Sequence, residues 1–207
     1  MVVGQRSNSE FPMSIPLPTA NASSSPIDNE VIEARKKFPA GRRPPSAPIA
    51  LDSGDGARHI FGAFGVHWKI DSADSGGRFS VVHHPIAPRS LVAPLHRHHR
   101  EDEYSYVLTG KFGALLGEEV VTAGPGTWIF KPRGQWHTFW NAGDTPCEII
   151  EVISPGGFED FFRELATAWG NPEQMSALGT KYELDFDFAS VPRLCERFGL
   201  TMSNIVS

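Results

Sequence analysis

The stretch Pro94–Gly110, PLHRHHREDEYSYVLTG, decides how the rest of the chain is read. His96 and His98 stand two residues apart, Glu103 follows five residues later, and Gly110 closes the segment. Side chains alternate between the two faces of an extended strand, so both histidines of the pair point the same way. Arg97, Arg100, Glu101 and Asp102 read as a solvated charged turn, after which Glu103 opens a second strand. A further stretch, Gly126–Asn141 (GTWIFKPRGQWHTFWN), adds His137 behind a turn at Pro132–Gly134. Three imidazoles and one carboxylate suit a divalent transition metal: imidazole favours Fe, Cu, Ni or Zn, and the carboxylate keeps the site hard enough for Fe or Mn. His96, His98, Glu103 and His137 are therefore the expected ligands, inside a β-barrel.

Working outward, residues 59–70, 77–87, 102–116, 119–124, 127–132, 136–141 and 147–154 are short apolar or alternating runs that read as strands. Gly110, Gly117, Gly124–Pro125–Gly126, Gly134 and Gly143–Asp144 punctuate them as turns. Many short strands at regular spacing indicate an all-β sandwich or barrel, here residues 51–155. Beyond it, residues 156–207 read as a helical extension. Phe158, Phe161, Phe162, Leu165 and Trp169 recur at helical spacing, Asn171–Pro172 opens a second helix, and residues 187–200 form a third that stops at Gly199. Residues 1–50 read as an arm. Its first 27 residues are Ser-, Pro- and Asn-rich, with Met13 a candidate start. Asp28–Phe38 has the charge order of a short helix, and residues 39–50 are Pro-rich and extended, either a linker or an arm across a neighbouring subunit.

At 207 residues the chain has room for one domain with extensions, and its 40% hydrophobic content is enough to bury a core. The net charge of −5 leaves no basic surplus to neutralise phosphates, which argues against nucleic acid. Cys147 and Cys195 form no metal- or disulfide-type spacing, so a reducing cytoplasm is expected. No apolar run approaches the roughly 18 residues of a membrane span.

The two quoted stretches resemble the paired signature motifs of the cupin superfamily. The first runs His-x-His, four residues, Glu, six residues, Gly (His96, His98, Glu103, Gly110). The second runs Gly, five residues, Pro-x-Gly, two residues, His, three residues, Asn (Gly126, Pro132, Gly134, His137, Asn141). Fifteen residues separate them, as in compact single-domain members. One departure stands: Ser90 occupies the position, six before His96, where the family carries glycine. The resemblance implies an antiparallel jelly-roll β-barrel with those same four residues as metal ligands at its interior. Asn141 is read as a strand-end residue. His59, His67, His83 and His84 are read as structural or exposed, and His99 as facing away from His98. Trp128, Phe130, Phe139 and Trp140 are read as core or interface, with at least one lining the cavity.

Within the superfamily the chain looks most like small quercetinase-like dioxygenases, whose barrels carry a helical tail. That likeness implies Fe, Mn, Ni, Co or Cu, with Zn also open, a flavonol-like or otherwise enolisable substrate, dioxygen as co-substrate, Glu103 as both ligand and base, and a homodimer. Two other classes stay open: an isomerase, lyase or cyclase using the metal as a Lewis acid, and a non-catalytic binding barrel.

Overall fold

The computed structural model describes residues 48–202; the readings made above for residues 1–47 lie outside them. The barrel strands are β1 (Arg58–Phe61), β2 (Phe64–Ile70), β3 (Ser80–Ile86), β4 (Leu95–His98), β5 (Asp102–Thr109), β6 (Phe112–Leu116), β7 (Glu119–Ala123), β8 (Trp128–Lys131), β9 (His137–Asn141) and β10 (Cys147–Ser154), with a short helix α1 (Ser72–Ser75) after β2. The C-terminal segment contributes α2 (Glu159–Ala168), α3 (Pro172–Lys181), β11 (Leu184–Asp187) and α4 (Ser190–Phe198). Two sheets face each other, one ordered β1-β2-β3-β10-β5-β8 and the other β11-β4-β9-β6-β7, and their strands pair antiparallel. This is a mostly antiparallel two-sheet fold with C-terminal helices, the all-β architecture that the strand pattern indicates and the jelly roll that the resemblance implies.

Period-two alternation builds the core. On β10, Cys147, Ile149 and Ile153 point inward, and on β3, Val82 and Ile86 do the same. One apolar run reads differently once folded. Residues 59–70 are a hairpin rather than a single strand, because Gly62 takes a left-handed φ of +58 and lets Phe61 pair with Phe64. Strand β8 inverts the usual pattern. Its aromatic residues Trp128 and Phe130 are 60% and 51% exposed, while Ile129 and Lys131 face inward. Of the two readings given for Trp128 and Phe130, core or interface, the core one is thus corrected. They sit instead on the outer sheet face against Tyr106 and Tyr104.

Residues 156–202, the described part of the C-terminal segment, are more than the helical extension their sequence suggests. Strand β11 pairs with β4, setting Asp185 opposite Arg97 and Phe186 opposite His96. Helix α2 is seated through Glu159, which is buried in its first turn. The carboxylate accepts the backbone N–H groups of Ser72 and Gly157, each at 2.7 Å, and the Glu159 carbonyl accepts the Trp68 indole N–H at 3.0 Å. Arg163 adds an ion pair to Asp71 at 2.7 Å. With α2 anchored this way, its buried Phe161 and Leu165 face the barrel. Helix α4 packs on the other side, where Phe198 stacks on Trp140.

Gly113 on β6 lies against the ring of Trp140 on β9, the strand that carries His137. A Cβ there would fall 2.2 Å from the indole nitrogen. Gly113→Ala should therefore overpack this approach and cost about 1–3 kcal/mol. That corresponds to a melting temperature lower by about 2–4 °C for each kcal/mol. Trp140→Leu in the same background should recover part of the loss; an unchanged melting temperature in the single variant would refute the tight β6–β9 contact.

Candidate metal centre

Strand β4 presents His96 and His98 inward, both buried, while Arg97 between them turns outward to Asp185. Strand β9 sets His137 directly opposite His96, and β5 brings Glu103 from the facing sheet. The Pro132–Gly134 turn is tied to β4: Gly134, at φ +78, donates its N–H to the His98 carbonyl at 2.7 Å. These four residues offer ligand atoms that all lie within 4.8 Å of one another. Metal–nitrogen bonds of about 2.1 Å place cis ligands about 3 Å apart and trans ligands about 4.2 Å apart, so the spacing fits one cation.

The ring orientations favour a metal more specifically. His96 Nδ1 donates to the Pro94 carbonyl at 2.9 Å, and His137 Nδ1 to the Gln135 carbonyl at 3.0 Å. A carbonyl only accepts, so each Nδ1 carries the proton and each Nε2 is left with its lone pair. His98 follows the same plan. Its Nδ1 stands 3.5 Å from Glu101 Oε2, and both atoms are buried without a hydrogen bond among the described residues. A cation on His98 Nε2 would strengthen the Nδ1–H as a donor to that carboxylate, the usual outer-sphere support of a metal-bound histidine. Glu101 is therefore corrected: it is not part of a solvated turn but is 5% exposed behind His98. His137 Nε2 lies 3.1 Å from Glu103 Oε2, and His98 Nε2 lies 3.4 Å from Glu103 Oε1. Burial, reinforced by the neighbouring imidazoles, holds the His96 pKa well below its ordinary value, and burial also lowers that of His137. Neutral imidazole is the form that binds a metal.

Two charged groups beside the site were not among the sequence candidates. Lys131 on β8 faces Glu103 across the β5–β8 pair, and Glu151 on β10 faces Ser105 across the β10–β5 pair. The Lys131 ammonium, 1% exposed, stands 3.0 Å from Glu103 and 3.0 Å from Glu151, over the ring of Phe139. Ser105 also donates to Glu151. Burial alone would pull the lysine pKa down, but the two carboxylates outweigh it and raise the value. Burial likewise pushes Glu103 upward, yet Lys131 and the His98 and His137 imidazoles outweigh it and hold Glu103 well below the usual carboxylate range. Glu151 is raised, because burial dominates over its half share of Lys131. A carboxylate has about four acceptor positions, so Glu103 can hold both Lys131 and a metal. Its low proton affinity suits a ligand better than a base. A signal for Lys131 and Glu151 was present in the sequence: Glu151 falls in phase with Ile149 and Ile153, and Lys131 in phase with Ile129.

The site opens into a cavity. The barrel supplies Phe64, His84, Pro94 and Phe139 to its wall, while the C-terminal segment supplies Phe158, Phe162, Trp169 and Phe186 among others. Phe139 thus fulfils the expectation that one of the four aromatics lines the cavity, while Trp140 packs in a separate cluster against α4. Asn141 is structural, donating to the Ile86 and Thr145 carbonyls and accepting from Gly143 N–H. Ser90, in the family's glycine position, is buried and bridges to Thr201, away from the ligands. His99 is exposed and paired with Asp185, and His67 and His83 face each other near Glu148 on the outer side of the sheet.

Lys131→Met should leave two carboxylates buried without a cation and destabilise the protein by about 3–5 kcal/mol in urea unfolding. Adding Glu151→Gln should restore part of this; a neutral single variant would show that the pair carries no charge. Glu101→Gln should keep the fold but weaken metal binding by about 10–100-fold in a competitive chelator titration. Unchanged affinity there would remove Glu101 as the support of His98.

Comparison with known proteins places these residues in a family context. An alginate biosynthesis protein of Pseudomonas fluorescens is 37% identical over 88 residues, covering 42% of this chain and 18% of its own. A xanthan biosynthesis protein of Xanthomonas campestris is 32% identical over 97 residues, covering 47% of this chain and 20% of its own. The chain therefore spans about a fifth of the length of these curated relatives. Among solved structures, the polyketide cyclase RemF from Streptomyces resistomycificus is 27% identical with a TM-score of 0.46, covering 52% of this chain and 80% of that one. Residues 82–153 match the family model of the cupin domain. That match runs from β3 into β10 and takes in His96, His98, Glu103 and His137, so the candidate metal centre lies within the stretch that is similar to the cupin domain.

Proposed function

We propose that this chain is a metal-dependent enzyme, a dioxygenase acting on a small aromatic or enolisable molecule, with His96, His98, Glu103 and His137 as its metal ligands. One observation carries the reading: three imidazoles and a carboxylate converge beside a cavity lined mainly by apolar side chains, seven of them Phe or Trp. A divalent metal bound there would keep one or two positions open for a substrate oxygen or for dioxygen. The chain's own residues do the remaining work. The Nδ1 hydrogen bonds fix the His96 and His137 imidazoles, Lys131 keeps Glu103 ionised, and Phe158, Phe162 and Phe186 exclude water from the reacting face.

The lining also argues for the substrate class. A phosphorylated or polyhydroxylated ligand needs cationic groups and many hydrogen-bonding partners, and the described residues that line the cavity include no arginine or lysine. Beyond the ligand residues, its polar side chains are His84 and Glu151. An apolar ring with few oxygens matches such a wall better than a saccharide does.

The test begins with the metal content of freshly purified protein beside that of His137→Ala. The wild type should hold near-stoichiometric Fe, Mn, Ni, Co or Cu, and the variant should fall to about a tenth or less while retaining its circular dichroism. Oxygen uptake with a flavonol should then follow metal occupancy. Turnover that proceeds equally without dioxygen would replace the dioxygenase reading with Lewis-acid lyase or isomerase chemistry. Absence of metal from the wild type after reconstitution would sink the proposal.

A further inference from the structure

His84 is a buried polar side chain outside the candidate ligand set. It projects from β3 into the cavity wall, 2% exposed, with its ring packed against Phe64, Phe139 and Phe162. Its Nδ1 lies 2.8 Å from the Gly65 carbonyl. That oxygen cannot donate, so the proton resides on Nδ1 and the lone pair on Nε2. Burial also keeps the ring neutral at ordinary pH, with its pKa pushed down to about 4. Nε2 has no hydrogen-bond partner among the described residues, whereas Glu151, the other polar wall residue outside the ligand set, is already engaged by Lys131 and Ser105. His84 belongs to the cavity wall, so a molecule seated in the cavity that donates to this free nitrogen would gain a hydrogen bond.

We propose that His84 Nε2 is a substrate-binding acceptor that takes a hydroxyl hydrogen from a ring-containing molecule seated in this cavity. The inference rests on the reading of the cavity as a substrate site and narrows its substrate to one carrying a hydroxyl donor in addition to any oxygen held at the metal. An otherwise identical ether fills the same apolar space but leaves Nε2 unpaired. Discrimination between the two is the role assigned to His84.

The experiment uses 2-naphthol and 2-methoxynaphthalene as probes, titrated by calorimetry into metal-loaded and metal-depleted full-length protein and into His84→Leu. In parallel, wild-type protein labelled with 15N-histidine reports the state of the His84 ring nitrogens directly, whatever the stability of the variant. The expected result is about tenfold tighter binding of the naphthol in both metal states. That preference should be lost in His84→Leu, and the unprotonated Nε2 resonance should shift with naphthol but not with the ether. Equal binding of both probes with no resonance shift would overturn the role of His84 while leaving the cavity as an aromatic site. A hydroxyl preference that survives His84→Leu and requires the metal would assign the hydroxyl to the metal and equally overturn it. If neither probe binds, both the substrate-site reading and this inference fail.

Discussion

A carboxylate buried among apolar side chains stays ionised only when a cation or convergent hydrogen bonds offset its desolvation, and the inner wall of this protein is arranged around that constraint. Glu103 is needed at the centre of three histidines, yet desolvation alone would protonate it. Lys131, directly opposite on the neighbouring strand, keeps it ionised. The lysine is equally close to Glu151, whose carboxylate also receives Ser105. Cross-strand pairing, Glu103 with Lys131 and Ser105 with Glu151, turns two ladder positions into one polar row. A slip of one residue in β8 would bring Phe130 inward and carry Lys131 out of the row, so the register of the sheet and the charge of the site are the same requirement.

The site divides its labour between two parts of the chain. The barrel strands provide the polar wall, with the His96 and His137 imidazoles oriented by the carbonyls of Pro94 and Gln135. The C-terminal segment provides much of the apolar wall, through α2 and β11, and is held by polar contacts around Glu159 and by the β4–β11 ladder. Because β11 pairs with the strand that carries His96 and His98, the segment is continuous with the ligand-bearing sheet. Any change in its seating would be felt at those histidines. This coupling gives the extension a role beyond covering apolar surface.

Sequence reasoning reached far for the ligands and less far for their surroundings. His96, His98, Glu103 and His137 are legible because strand periodicity and fixed spacing act over a few residues, and the same holds for α2, whose aromatic stripe repeats at helical spacing. Glu101 was misread because a charged run is ordinarily solvated; here the turn folds back and places one of its carboxylates behind His98. Trp128 and Phe130 were misread because hydrophobicity usually marks the inner face, whereas β8 gives that face to Ile129 and Lys131. The hairpin at Gly62 was hidden because residues on both sides are apolar. His84, taken as structural, does make a structural bond, but the state of its second nitrogen depends on residues distant in the chain.

The sequence by itself determined the strand-rich architecture, the helices that follow it and the four residues that converge as candidate ligands, since each of these follows from local periodicity, turn chemistry or short spacing. Tertiary structure alone decided which charges are buried and what pairs with them: Lys131 between Glu103 and Glu151, Glu101 behind His98, and β11 beside β4. The physical reason is that burial and electrostatics depend on which strands become neighbours and on which face each side chain takes. Residues 131 and 151, or 96 and 186, meet only after the sheets have paired.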